Sequence, residues 1–197
     1  MDYNLPEDSA ISIEYDDNDP TVVIPAKTNA FRYFGGVFLL FWLGGWAFGL
    51  VAVSSQLLQG KGGLFNVFWL CGWTVAGFLA AFSAYRIFRP PVPERLRLLR
   101  GSIGYDSGIP PLKDFNRGNM DYWGSLFARR RRADIDRREL QTLRLRETDS
   151  GNRLTIDIGG ERVEIAAQAT EIDREWLAGM LARRYHLKQV LPGNADS

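Results

Sequence analysis

Two long apolar stretches interrupt a chain that elsewhere alternates hydrophobic and polar positions. The first runs from about residue 33 to 53 and the second from 64 to 85, and neither carries a charge until its flanks. About 20 apolar residues at 1.5 Å rise suffice for a helix to cross a hydrocarbon core of ~30 Å. The pattern predicts a hairpin of two membrane helices joined by a loop over residues 54–63. Outside it the period changes to two. Residues 95–99 and 102–106 read as strands around a turn at Arg100-Gly101, and the apolar positions Leu140, Leu143 and Leu145 mark another strand over 140–147. The turn-rich run 148–152 follows. Residues 154–158 then form a strand with strict alternation, Gly159-Gly160 a two-residue hairpin turn, and 162–166 the return strand.

A helix is expected after Thr170, whose hydroxyl at the N-cap and Asp173 three residues on form a capping box. Ile172, Trp176, Met180 and Arg184, widened by Leu177 and Leu181, mark the face expected to pack on the sheet. Two further strands, 10–15 and 21–24, precede the apolar hairpin and are candidates to complete the same sheet from the other end of the chain.

The apolar stretches contain a repeat. Phe41-Trp42-Leu43-Gly44-Gly45-Trp46 recurs 27 positions later as Phe68-Trp69-Leu70-Cys71-Gly72-Trp73. Gly45 with Gly49 and Gly72 with Ala76 are small residues four apart, the spacing that lets membrane helices approach closely. These four are expected to close the hairpin. Trp42 with Trp46 and Trp69 with Trp73 form an aromatic ridge on each helix, a candidate face for lipid or for a partner's membrane helices.

Charge adds an orientation. Lys27 and Arg32 precede the first span, Arg86, Arg89, Arg95, Arg97 and Arg100 follow the second, and the connecting loop has only Lys61. Basic residues concentrate on the cytoplasmic side of membrane helices, so both termini are expected there. The net charge of +1 conceals an acidic arm (seven acids and one lysine in residues 1–30) and a basic segment after residue 85. The densest basic piece lies in residues 108–138, where Trp123 and Phe127 precede Arg129, Arg130, Arg131 and Arg132. Aromatics followed by four arginines suit an anionic lipid surface, where each basic residue contributes ~1 kcal/mol. The alternatives are a solvated loop partly neutralised by Asp134, Asp136 and the acidic N-terminal arm, and, behind these two, a protein partner.

Candidate chemistry is sparse. Cys71 is the single cysteine and lies in the second span, so neither a disulfide nor a cysteine metal site is expected. His186, the single histidine, lies far outside the spans, which leaves no ligand there for haem or pigment. No phosphate-binding loop, nucleophile elbow or dinucleotide fingerprint occurs. We expect no enzyme, no metal, no cofactor and no nucleic-acid partner. Arginine outnumbers lysine 20 to 4, a composition that suits a bacterium with GC-rich DNA.

Meandering strands followed by one C-terminal amphipathic helix are the layout of a pleckstrin-homology-like (PH-like) barrel. Residues 23–27 (VIPAK), the duplicated FWLxGW, and 143–148 with 151–155 resemble bacterial two-span proteins. In these a membrane hairpin is inserted into or before a PH-like domain. The layout is also similar to the photosystem I assembly factor family, which places paired spans ahead of a soluble α/β domain ending in a helix.

The resemblance implies an α+β membrane protein in three parts: an acidic arm over 1–30, a transmembrane hairpin over 31–85, and a cytoplasmic PH-like β-barrel or sheet domain with a C-terminal helix over 86–197. It implies a non-catalytic accessory, assembly or scaffold subunit of a bacterial inner-membrane complex, with membrane lipids and another integral membrane protein as partners. The alternatives are an anionic-lipid-binding module and a self-assembling homo-oligomer. An ion pathway would find few polar groups in the spans, only Asn66, Thr74 and Ser83.

Overall fold

The computed structural model describes residues 4–16, 19–26, 30–112, 119–148, 151–188 and 190. The elements in chain order are β1 (Ser12–Asp16), β2 (Asp19–Ile24), α1 (Phe31–Leu58), α2 (Leu64–Phe88), β3 (Glu94–Leu98), β4 (Ile103–Asp106), α3 (Asn119–Leu126), β5 (Arg132–Ile135), α4 (Arg137–Leu140), β6 (Arg144–Thr148), β7 (Gly151–Ile158), β8 (Glu161–Ile165) and α5 (Glu171–Tyr185). They divide into two compact units, one of sheets with α4 and α5, the other of α1, α2 and α3.

In the helical unit, α1 and α2 are antiparallel neighbours of 28 and 25 residues. At 1.5 Å per residue they are about 42 and 38 Å long, enough to cross a hydrocarbon core with turns to spare. Gly60, at φ +71°, turns the connection, and Arg89-Pro90-Pro91 ends α2 because the residue before proline is driven out of the helical region. Their flanks are apolar and open: Phe41 is 83% exposed, Phe48 80% and Leu58 90%. That much uncovered apolar surface is far beyond what a water-exposed helix pair tolerates.

The sheet unit draws on residues from both sides of the helical pair. β1 to β5 form one antiparallel sheet in sequence order, and β6, β7 and β8 form a second. β2 pairs with β3 from Thr21↔Arg97 to Ile24↔Glu94, so the N-terminal strands do belong to the sheet that continues after α2. One core spans both sheets and α5, built from the inward positions Val22, Ile24, Leu96, Leu98, Ile103, Ile135, Leu154, Ile156, Leu177 and Leu181, all at most 1% exposed. The register puts Ile24, Glu94, Asp106 and Arg132 at one end of the first sheet.

Three expectations are corrected. The strands do not close into a barrel but remain two sheets. The physical cause lies between them: Asp136 accepts from the Arg138 and Glu139 amides and Glu139 returns a bond to the Asp136 amide, a capping box that turns Arg137–Leu140 into α4. This also corrects the strand expected over 140–147, which begins only at Arg144. The inward face of α5 carries Leu177, Met180 and Leu181 as expected, with Trp176 packed against them, and departs from expectation in its first turn. Ile172 is 65% exposed, while Asp173 is buried because its carboxylate completes the Thr170 capping box and accepts from the Ser9 hydroxyl at 2.5 Å. The expected turn at 149–150 lies outside the described residues.

The two sheets are tied at both ends. At one, the Tyr185 hydroxyl reaches the Leu99 and Ser102 carbonyls and Arg184 donates to the Leu98 carbonyl. At the other, the Ala166 amide donates at 2.7 Å to Glu94, whose side chain lies in the core with the Tyr105 hydroxyl as a further partner. Burial pushes the Glu94 carboxyl up from 4.5 to about 7, against the bonds from Ala166 and Tyr105 that favour its ionised form. Because the folded value exceeds the unfolded one, the contribution to stability is full below pH 4.5 and is lost as pH rises to about 7. Glu94→Gln cannot ionise, so its stability relative to the wild type should improve across that window by on the order of 3 kcal/mol. Denaturant midpoints of both proteins at pH 4.5, 6 and 8 measure this; a difference that does not change with pH would refute it.

Candidate functional site

The helix pair is locked by its tryptophans. Each helix has a tryptophan followed one turn later by a glycine, Trp46 with Gly49 and Trp73 with Gly77. In the antiparallel pair each indole lies over the other helix's glycine. A Cβ on Gly77 would collide with the Trp46 ring, and one on Gly49 would touch the Trp73 indole nitrogen at 3.7 Å. The ring N–H of Trp46 donates to the Trp73 carbonyl at 2.8 Å, and that of Trp73 donates to the Trp46 carbonyl at 3.3 Å. Each indole thus buries its apolar body and still satisfies its one donor. Trp69 stacks on Trp73 with centroids 4.7 Å apart, and Trp42 meets Trp73 at 5.9 Å. Gly36 closes the contact further along, packed against Ile87 and Phe88.

This arrangement reverses part of the expected division of labour. Trp46 and Trp73 reach across to the facing helix while staying half-buried and lining an outer groove as well, and Gly49 alone of the four expected small residues lies at the contact. Gly45 and Gly72 point outward, where a Cβ would meet no atom within 4 Å, and Ala76 is exposed. A groove of about 540 Å³ runs over Gly44 and Gly45 between Phe38, Phe41, Trp42 and Trp46. Gly36 and Gly77 went unrecognised; the signal for Gly77 was its place one turn after Trp73, mirroring Gly49 after Trp46.

Trp123 and Phe127 also find partners in the helical unit. Phe127 stacks on Phe82 of α2 at 5.8 Å, and Trp123 stacks on Phe127 at 6.1 Å. The Tyr122 hydroxyl lies 2.7 Å from Ser83 Oγ, and Arg86 donates to the Ser125 carbonyl at 2.7 Å. Ser83 and Arg86 thereby anchor α3 against the end of α2, a role the sequence pattern did not reveal. Met120 remains 88% exposed and Phe127 56%, so α3 extends the apolar surface of α2.

The arginine run is largely engaged within the sheet unit. Arg130 grips Asp106 through two nitrogens in three bonds of 2.6–3.0 Å, and Arg132 adds a fourth at 3.1 Å. Hydrogen bonding to Arg130 foremost holds the Asp106 carboxyl down to about 2. Arg131 pairs with Glu161 at 2.8 Å. Arg129 is exposed and is the one member of the run for which no ion pair forms among the described residues. Residues 113–118 of the basic stretch lie outside the described residues.

Among the described residues no three His, Cys, Asp or Glu side chains gather as a metal set. His186 takes the left-handed C-cap of α5 at φ +55°, its amide bonding to the Ala182 carbonyl. No protein-family model, curated protein or solved structure matches this chain.

Proposed function

We propose that α1 and α2 cross a membrane and dock, as a preformed pair, against the helices of another integral membrane protein. The chain then acts as a non-catalytic accessory or assembly subunit whose sheet unit meets that complex at the cytoplasmic face of a bacterial inner membrane. One observation carries the reading: the pair is already closed by Trp46 and Trp73, yet Gly44, Gly45 and Gly72 still open backbone to the outside beside an apolar groove. In lipid, close backbone packing is what drives helix association, and small residues on an outer face make it available.

The test is Gly45→Leu. No atom lies within 4 Å of a Cβ there, so α1 accepts the side chain, which enters the groove beside Phe38, Phe41 and Trp42. Gentle purification of the tagged full-length protein from its native membrane should recover a stoichiometric membrane partner. The Gly45→Leu protein should recover it about tenfold less, a cost of about 1.4 kcal/mol. Equal recovery would count against the proposal.

A second reading, lipid recognition, draws on α3. Met120, Trp123 and Phe127 form an exposed patch joined to Phe82 and Tyr85 of α2, the composition of a segment lying in a lipid interface. With Arg130, Arg131 and Arg132 held by Asp106 and Glu161, this contact rests on the aromatics more than on charge. A lone monomer with bound anionic lipid from the same purification would favour it, and a closed homo-oligomer would favour self-assembly.

A further inference from the structure

β6 is an edge strand, and its free side faces a groove under α5. In an antiparallel ladder, residues two apart present both backbone groups to the same side. The Leu145 amide points away from β7 and donates to the Val190 carbonyl at 2.8 Å. Leu145 pairs with Leu154 and Glu147 with Asn152, so Glu147 presents its own N–H and C=O along the same outer edge. The chain after α5 has thus laid Val190 against β6, and among the described residues no backbone bond outside the β6–β7 ladder forms at the next outward position, Glu147.

The groove beside that edge has a volume of about 440 Å³. Leu145 and the Trp176 ring give it an apolar base, with Gly179 in the wall formed by α5. Glu147 and Glu175 lie toward the N-terminal end of α5, and Arg183 lies toward the C-terminal end. A strand added beside β6 would place alternate side chains under α5. One apolar side chain fits between Trp176 and Gly179, and a basic neighbour two residues along meets the two glutamates.

Gly179 is a second, independent pointer. Glycine inside a helix is less favourable than alanine. Nothing nearby requires it: a Cβ would meet only the end of Arg183, at 3.6 Å, an ordinary contact. What its absent side chain provides is the opening over Leu145.

We propose that the groove between β6 and α5 binds an extended segment of a partner protein, bearing an apolar residue and a lysine or arginine two positions away, as an added strand. Backbone bonds to an edge supply affinity in this mode, and the side-chain pockets supply selectivity.

The experiment is a selection of random dodecapeptides on full-length protein in lipid nanodiscs, with Gly179→Leu as the counter-selected variant. Gly179→Ala, which should raise the melting temperature, checks that the helix accepts a side chain there. The expected result is a set of peptides alternating apolar and polar positions with a recurrent lysine or arginine. Their affinity should fall about tenfold or more in Gly179→Leu, and the recurrent residue should change to an acid when the selection is repeated on Glu147→Lys/Glu175→Lys. Failure to enrich any peptide over Gly179→Leu would overturn the proposal. So would binding that appears only after residues 191–197 are removed, which would assign the groove to the chain's own tail.

Discussion

A fragment comprising residues 86–197 is expected to be unfolded, although it contains six of the eight strands and the capped C-terminal helix. Deleting the N-terminal arm removes β2, which lies between β1 and β3 in the sheet, and with it Val22, Ile24 and Ile11 from the core. Truncating one buried aliphatic residue to alanine costs about 2–5 kcal/mol. Losing three, and the whole ladder to Leu96 and Arg97, exceeds the 5–15 kcal/mol that holds a typical domain. Far-UV circular dichroism and amide proton dispersion should show a disordered chain. Reconnecting the arm by joining Ile24 to Glu94 through a short Asn-Gly turn, as their pairing permits, should restore cooperative unfolding. A cooperatively folded 86–197 fragment would show that β1 and β2 are only appended.

Replacing Gly77 with leucine should separate α1 from α2. The new side chain must occupy the volume of the Trp46 ring, and overpacking of this kind costs about 1–3 kcal/mol. Expelling the Trp46 ring also breaks its bond to the Trp73 carbonyl, the bond from the Trp73 ring to the Trp46 carbonyl goes once the helices part, and polar bonds between membrane helices average about 0.6 kcal/mol each. The total, roughly 2–4 kcal/mol, is large for a two-helix contact. Disulfide trapping between cysteines placed at Gly36 and Ile87, which face each other across the pair, in a Cys71→Ser background measures the effect, with efficient trapping for the parent and strong loss for Gly77→Leu. Retained trapping in Gly77→Leu would show that the tryptophans do not lock the pair. Gly45→Leu serves as the control, because its side chain projects outside the contact.

These two cases mark what could be read from the chain and what could not. The existence of both apolar helices followed from length and lack of charge, and the Gly159-Gly160 hairpin and the Thr170 capping box followed from local chemistry that needs no tertiary partner. Rotation was a different matter. A helix apolar on every side has no marked face, so only the spacing from Trp73 set Gly77 apart from Gly72, and nothing local directed Trp46 inward. On α5 the pattern placed Leu177, Met180 and Leu181 inward and missed only in the first turn, where Ile172 is exposed and Asp173 buried, because the Ser9 hydroxyl that accompanies Asp173 comes from 164 residues away. The arginine run was visible, but the carboxylate that grips it, Asp106, lies on a different strand. Edge status is likewise a property of the finished sheet, which hid the groove beside β6.

Because β2 and β3 are adjacent in space but separated by the 69 residues from 25 to 93, the sheet cannot be completed in the order in which it is synthesised. At ~5–20 residues per second the ribosome needs about 3–14 s to pass from Ile24 to Glu94. Throughout that interval β1 and β2 wait as an isolated hairpin, which is at best marginally stable in water. The sheet can close only after both apolar helices have emerged. If insertion stalls with the second helix on the wrong side of the bilayer, β3 is carried away from β2 and the waiting hairpin stays open to proteases and chaperones. On the membrane placement proposed above, a folded sheet unit would therefore report that both helices have been placed.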